Sequence, residues 1–342
     1  MYIGIDVHKK SWTVTILTDH VEHKTFNTPP NCEGLITYVQ KHFPGATVVC
    51  VYEAGFSGFW LCRKLRAAGF DCLVVHPADV PTSDKEHRTK SDRIDSRKLA
   101  QTLRARQLHG VWVPTPVQQQ KRSLSRYRHV LMRDLRRYKN RIKSFLMYYG
   151  IEVPAKYDNS FWTWKYIEWL ESLEFDHTAG KLSLQALIKG YRFHYEQILT
   201  MARQMRALFR KEEKQMYCLL RTIPGVGPLT SIALIAEIAD IGRFSNGRRL
   251  ASLVGLTPHK EGSGDRVRVR GITQRHNEYL RTMLVEASWQ ALRQDPALLR
   301  YYESLRPKMR PQKIIVKVAR KLLNRIGYVM RNKKEYETGI VE

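Results

Sequence analysis

Four carboxylates stand at positions where they could share a metal ion. Asp92 and Asp95 lie three residues apart in Lys90-Ser91-Asp92-Arg93-Ile94-Asp95-Ser96-Arg97-Lys98-Leu99. Residues at that spacing share a face of a helix, so a helix over 92–106 points both acids the same way. Asp6 sits inside the apolar run Tyr2-Ile3-Gly4-Ile5-Asp6-Val7, and Glu53 closes a second run, Thr47-Val48-Val49-Cys50-Val51-Tyr52-Glu53. Each run predicts a buried strand, and a carboxylate in a central strand is costly to bury unless it meets a cation or a metal. Acids from two strands and one helix make a hard, oxygen-only site of the kind that holds Mg2+ beside a phosphate. Taken singly, each reads as a turn, a cap or a surface ion pair; the set of four points to chemistry. Asp84 is a rival acid nearby.

The elements that must position these acids follow from the pattern of the first eighty residues. Strands are expected at 2–7, 12–18 and 21–27, a helix at 31–43, a strand at 47–53, a helix at 57–69 and a strand at 71–76. Three consecutive strands and then a βαβ unit is the order of an RNase H-like, RuvC-like α/β fold with a mixed sheet. Catalytic acids of that fold commonly come from the first strand, the fourth strand and a later helix, where Asp6, Glu53 and the Asp92/Asp95 pair fall. The polar stretch from Pro77 to Lys90, with Pro77 and Pro81, reads as a mobile loop over the site. This first domain is placed at 1–112.

The chain has 342 residues, a length that fits about two domains. Its formal charge is +26, from 58 Lys and Arg against 32 Asp and Glu, and an excess of one sign on that scale attracts polyanions. Nucleic acid is the natural partner. No run approaches the roughly 18 apolar residues of a membrane-spanning helix, and strand-like sequence begins at Tyr2, so a cytoplasmic protein without a leader is expected. The cysteines at 32, 50, 62, 72 and 218 follow neither a zinc nor a disulfide spacing and read as buried thiols.

From 113 to 219 the pattern becomes helical. Leu124, Tyr127, Leu131, Leu135, Tyr138, Ile142, Phe145 and Tyr149 form a coiled-coil seam, while Arg133, Arg137, Arg141 and neighbouring cations coat the rest of a helix over 118–149. The seam suits either a hairpin with 190–218 or pairing with a second chain, with nucleic acid on the outer face. An aromatic insert, Phe161-Trp162-Thr163-Trp164-Lys165-Tyr166-Ile167-Glu168-Trp169-Leu170, reads first as core. The third region, 220–342, is expected to be mainly helical. It opens on Thr222-Ile223-Pro224-Gly225-Val226-Gly227-Pro228, where Gly225 and Gly227 before a new helix resemble a helix-hairpin-helix that offers backbone N–H groups to a phosphate. Further on, Glu261-Gly262-Ser263-Gly264-Asp265 leads into alternating Val and Arg. Spacing alone makes Ser263 part of a flexible turn, with Arg266, Arg268 and Arg270 able to hold a phosphate backbone. Helices follow at 275–294 and 311–331.

Along nearly its whole length the chain resembles the insertion-sequence transposases that join an N-terminal DEDD RuvC-like domain to a C-terminal transposase domain, the group whose members act as bridge-RNA-guided recombinases. The matching pieces are Gly4-Ile5-Asp6-Val7-His8-Lys9, Tyr52-Glu53-Ala54-Gly55, Lys90-Ser91-Asp92-Arg93-Ile94-Asp95, Ile223-Pro224-Gly225-Val226-Gly227, Gly255-Leu256-Thr257-Pro258, Ser263-Gly264 and Tyr279-Leu280-Arg281. The resemblance implies that Asp6, Glu53, Asp92 and Asp95 bind magnesium and that Ser263 is the nucleophile that joins a DNA 5′ phosphate. It further implies a non-coding bridge RNA that pairs with donor and target DNA. Where the family has an acid or small polar residue directly before the serine, this chain has Gly262, with Glu261 one place earlier; Ser252 and Thr257 are weaker candidates. A homodimer that pairs to a tetramer on DNA is expected, with Ser263 working against acids of another subunit. The rival readings are a RuvC-like junction nuclease that uses water and no covalent intermediate, and a basic architectural protein without activity.

Overall fold

The computed structural model describes residues 1–81, 91–159, 161–263, 266–273 and 276–339, and for 259–263 and 266–270 it describes the backbone. The described chain forms two compact units, Met1–Thr115 and Pro116–Glu342. The regions expected over 113–219 and 220–342 fall, from residue 116 on, in the second unit.

In the first unit a meander of β1 (Tyr2–Val7), β2 (Trp12–Leu17) and β3 (Glu22–Thr28) is followed by α1 (Cys32–His42), β4 (Val49–Glu53), α2 (Trp60–Ala67) and β5 (Asp71–Val75). The sheet order is β3-β2-β1-β4-β5. The first three strands pair antiparallel, and β1, β4 and β5 run parallel. Side chains alternate between the two faces of a strand. Ile3, Ile5, Cys50, Tyr52, Cys72 and Val74 therefore fill one core with Leu35 and Val39 of α1 and Leu61 and Leu65 of α2. Val51 and Val75 face the other way, onto Leu99 and Leu103 of α3 (Asp92–Arg104).

Helix α3 sets the site because it lies directly on β1. A Cβ at Gly4 would overlap the Ser96 carbonyl oxygen and crowd the Ala100 backbone, so only glycine permits this approach. Thr15 on β2 completes the lock through its hydroxyl, 2.9 Å from Ser96 Oγ. The start of α3 is fixed by Ser91, whose side chain accepts from the Ile94 N–H at 3.4 Å. Asp92 and Asp95 occupy the first turn, where the helix dipole favours negative charge. Pro77–Asp79 forms one 3-10 turn; the remainder of the expected loop, 82–90, lies outside the described residues, and Asp84 with it.

The second unit begins with α4 (Pro116–Tyr148), α5 (Trp164–Ser172) and α6 (Thr178–Glu212). Lys121, near the start of α4, bonds Glu212 at 3.0 Å and Glu213 at 2.7 Å at the end of α6, so the two long helices run antiparallel. Leu131, Leu135, Ile142 and Leu146 pack with Leu184, Ile188, Tyr191 and Ile198, and α5 adds Tyr166, Ile167 and Leu170. The seam is thus filled from within the chain. Two expected seam residues sit off it: Tyr127 is 54% and Tyr149 49% exposed. A straight helix drifts about 20° per heptad from a strict seven-residue repeat, which turns the ends of a long stripe away and brings Leu146 in.

Next come α7 (Lys214–Arg221), α8 (Pro228–Ile238), α9 (Gly247–Val254), the antiparallel pair β6 (Pro258–Ser263) and β7 (Arg266–Ile272), α10 (Glu278–Gln294), α11 (Pro296–Leu305) and α12 (Pro311–Asn332). Their apolar faces share one core with Met205 and Phe209 of α6. Glu237, at the end of α8, is buried and accepts two bonds from Arg126 of α4, at 2.6 and 2.7 Å, and one from Asn277 Nδ2 at 2.8 Å. No described helix is long and apolar enough to cross a membrane. The four cysteines at 32, 50, 62 and 72 are buried thiols, and Cys218 is exposed.

Candidate functional site

The parallel register of β1 and β4 brings the strand acids together. Gly4 pairs with Val51 and Ile5 with Tyr52; Asp6 and Glu53 are the next residues of the two strands, towards their C-terminal ends. Both then face α3, as Gly4 and Val51 do. The docking of Ser96 and Ala100 on Gly4 carries the first turn of α3 over that end of β1. The result is a tight group: His8 Nε2 lies 3.1 Å from Asp6 Oδ2 and 3.4 Å from Asp92 Oδ1. The three ligand atoms lie within 4.8 Å of one another.

Asp95 lies just behind, with Oδ1 3.7 Å from Lys98 Nζ, and its charge acts on Asp6. Glu53 and Asp95 stand outside the group of three. His8 was not among the residues singled out from the sequence. Its signals there are its place in the matching piece Gly4-Ile5-Asp6-Val7-His8-Lys9 and alternation, since Gly4, Asp6 and His8 follow at steps of two along β1 and just beyond it.

The Asp6 carboxyl is pushed above the usual range, first by burial; His8 pulls it back, and the charges of Asp92 and Asp95 push it up again. A half-buried acid held against a second, exposed one by an imidazole is a donor set that fits a divalent ion, with hard oxygens and one nitrogen. The Asp6 side chain is 21% exposed and that of Asp92 57%. The group is therefore anchored on the strand side and open to solvent on the helix side, where a phosphate can approach.

In the second unit Ser263 ends β6 and pairs in register with Arg266, the first residue of β7. The two residues between them lie outside the described chain. Arg266, Arg268 and Arg270 hold alternate positions of β7. Ser252 is exposed on α9, and Thr257 is half-buried before β6. Gly225 has φ +79°, and any Cβ there would overlap the Ala287 carbonyl of α10; its N–H donates to Gln294 Oε1 at 3.3 Å. Gly225 thus serves a close helix crossing, while Gly227 precedes α8 with open space around its Cα.

On α4 the cations divide into two sets. Arg122 donates to the Ala236 and Glu237 carbonyls, and Arg126 to the Glu237 carboxylate, so these two tie helices together. Arg133, Arg137 and Arg141 are exposed. Arg137 pairs with Asp134 at 2.6 Å, and Arg141 lies over the Tyr138 ring at 5.0 Å.

Comparison with known proteins decides between the readings of this geometry at the level of family. A DEDD-type IS110 transposase model matches residues 3–151, and the model described as the transposase IS116/IS110/IS902 family matches residues 217–303. A Sinorhizobium fredii protein named as a transposase, y4rJ, is 30% identical over 310 residues, covering 83% of this chain and 76% of that protein. The chain belongs to the IS110/IS116 family of transposases. Among other relatives, y4qE of Sinorhizobium fredii, also named as a transposase, is 32% identical over 238 residues, and the match spans 70% of this chain and 57% of that protein. The transposase for insertion sequence element IS1533 of Leptospira borgpetersenii is 26% identical over 254 residues, 72% of each chain. The DEDD match covers Asp6, Glu53, Asp92 and Asp95. The other ends within α11 and includes Ser263.

Proposed function

We propose that this transposase cuts and rejoins donor and target DNA of an insertion sequence, guided by a non-coding RNA, through a covalent bond between Ser263 and a DNA 5′ phosphate. The observation that carries this reading is the convergence of Asp6, Asp92 and His8 at the end of β1, with the charge of Asp95 acting on Asp6 and Glu53 closing the neighbouring strand β4. Asp6 and Asp92 supply the two carboxylates, and His8 adds a nitrogen donor that holds the exposed acid in line with the buried one. A divalent cation, magnesium in this proposal, when bound there polarises a phosphoryl oxygen and stabilises charge developing on it. Ser263 Oγ forms the new bond to phosphorus while the 3′ oxygen of the neighbouring nucleotide leaves. The serine ester keeps the energy of the broken phosphodiester, so a 3′ hydroxyl can later reverse the step. Arg266, Arg268 and Arg270 hold flanking phosphates, and Arg133, Arg137 and Arg141 extend the polyanion track. Delegating sequence choice to RNA suits a chain with a charge of +26 and no zinc-finger spacing. A dimer, and a tetramer on DNA, is the proposed working assembly.

The test is to incubate the protein with RNA transcribed from beside its gene, donor and target DNA and Mg2+, then denature and look for protein attached to DNA 5′ ends. An adduct that disappears in Ser263→Ala supports the reading. Metal-dependent hydrolysis without any adduct selects the junction nuclease instead.

A further inference from the structure

The aromatic segment before and within α5 does two different things. Tyr166, Ile167 and Leu170 fill the core between α4 and α6. Trp162 and Trp164, by contrast, line a cleft of about 310 Å³ together with Tyr191, Arg192, Tyr195 and Glu196 of α6. Trp164 stays 60% exposed, a large apolar ring left in water at the mouth of a cavity. Trp162 lies 4.9 Å from Tyr191, Tyr191 stacks on Tyr195 at 6.1 Å with 18° between planes, and Trp164 stands edge-on to Tyr195 at 6.4 Å.

One cation lines this cleft and a second lies against one of its rings. The Arg192 guanidinium lies 5.7 Å from the Trp164 ring centre, and Lys139 Nζ lies 5.3 Å from that of Trp162. Arg192 reaches Glu171 through Nη2 at 3.0 Å, and its Nε has no acceptor among the described residues.

Resting on the reading that this chain handles nucleic acid, we propose that the cleft takes an unpaired nucleobase of a single-stranded segment, stacked among Trp162, Trp164 and Tyr195. A flat ring with two π faces suits walls made of aromatic side chains. The attached phosphates suit Arg192 and Lys139, and the Glu196 carboxylate can accept from an exocyclic amino group. A lipid tail or aliphatic peptide offers neither a flat ring to these aromatic walls nor an acceptor to the unpartnered Arg192 Nε. Bases in a duplex are already stacked and cannot enter, so the cleft distinguishes single strands from double.

The test uses the full chain and oligonucleotides carrying 2-aminopurine, as single-stranded DNA, single-stranded RNA and a duplex of the same length. Single strands are expected to show quenched fluorescence on binding. Trp164→Ala and Tyr195→Ala should abolish the quench and weaken single-strand binding about tenfold, the order of one base–aromatic stack, with duplex affinity unchanged. Trp164→Phe should retain the quench. Quenching by only one of the two single strands assigns the source to DNA or RNA. Nucleic-acid binding with no quench from either strand, or full quench in both alanine variants, overturns the inference and leaves the wider reading intact. So does displacement by a proline-rich peptide and not by oligonucleotide. A wild-type chain that binds no nucleic acid overturns both.

Discussion

Asp6 is the residue on which the site's charge balance turns. Its carboxyl is pushed up by burial and by Asp92 and Asp95, with His8 opposing. An acid whose folded pKa exceeds its unfolded value subtracts stability at pH above the unfolded value, in full above the folded one, and the loss is recovered on acidification. Asp6→Asn is therefore expected to raise Tm in chelator at neutral pH while abolishing strand cutting. Calorimetry in EDTA reads this, and a lower Tm would contradict the charge assignment. His8 gives a spectroscopic prediction. Mn2+ bound to the wild-type chain should show nitrogen coupling in pulsed electron paramagnetic resonance, and His8→Asn should lose it while keeping the fold. Bound Mn2+ without that coupling in the wild type would remove His8 from the ligand set. Asp6 and Asp92 could be picked out because one sits inside an apolar run and the other shares a helix face with a second acid; His8, exposed just past a strand end, carried no such pattern of its own. Glu237 was invisible for another reason: its partners Arg126 and Asn277 stand 111 and 40 positions away, and no local pattern joins them.

Among the elements, α3 places the site and Gly4 places α3. Gly4→Ala forces the Ser96 carbonyl away from β1, an overpacking that typically costs about 1–3 kcal/mol. It should also disperse the Asp6–His8–Asp92 group. Urea unfolding measures the first effect and Mn2+ affinity the second, and unchanged affinity would mean that the approach of α3 is dispensable. The order of strands and helices in the first unit was readable because each apolar run is short and bounded by turn residues. The partner of α4 was not, since one stripe suits either an intrachain hairpin or a second chain; the structure shows the hairpin with α6. Tyr127 shows the limit of counting threes and fours along a helix of 33 residues, and Tyr149 falls one residue past its end. Leu135→Ala in that seam is expected to cost about 2–5 kcal/mol by urea unfolding.

At the scale of the whole molecule, charge and family agree on a polyanion. Reversing Arg133, Arg137 and Arg141 should weaken nucleic-acid binding and lower the slope of log affinity against log salt by about one per lost phosphate contact. A slope that stays the same would place the track elsewhere. Composition pointed to this partner, whereas the chemistry needed particular residues, and the role proposed for Ser263 comes from resemblance because a serine between glycines looks like any turn. Capture of the covalent intermediate tests the central claim most directly. With RNA, donor, target and Mg2+ present, the wild-type protein should leave a protease-sensitive adduct on DNA 5′ ends. Ser263→Ala and Asp92→Asn should leave none, although both still bind nucleic acid. An adduct formed by Ser263→Ala, or recombination by Asp92→Asn at the normal rate, would contradict the account.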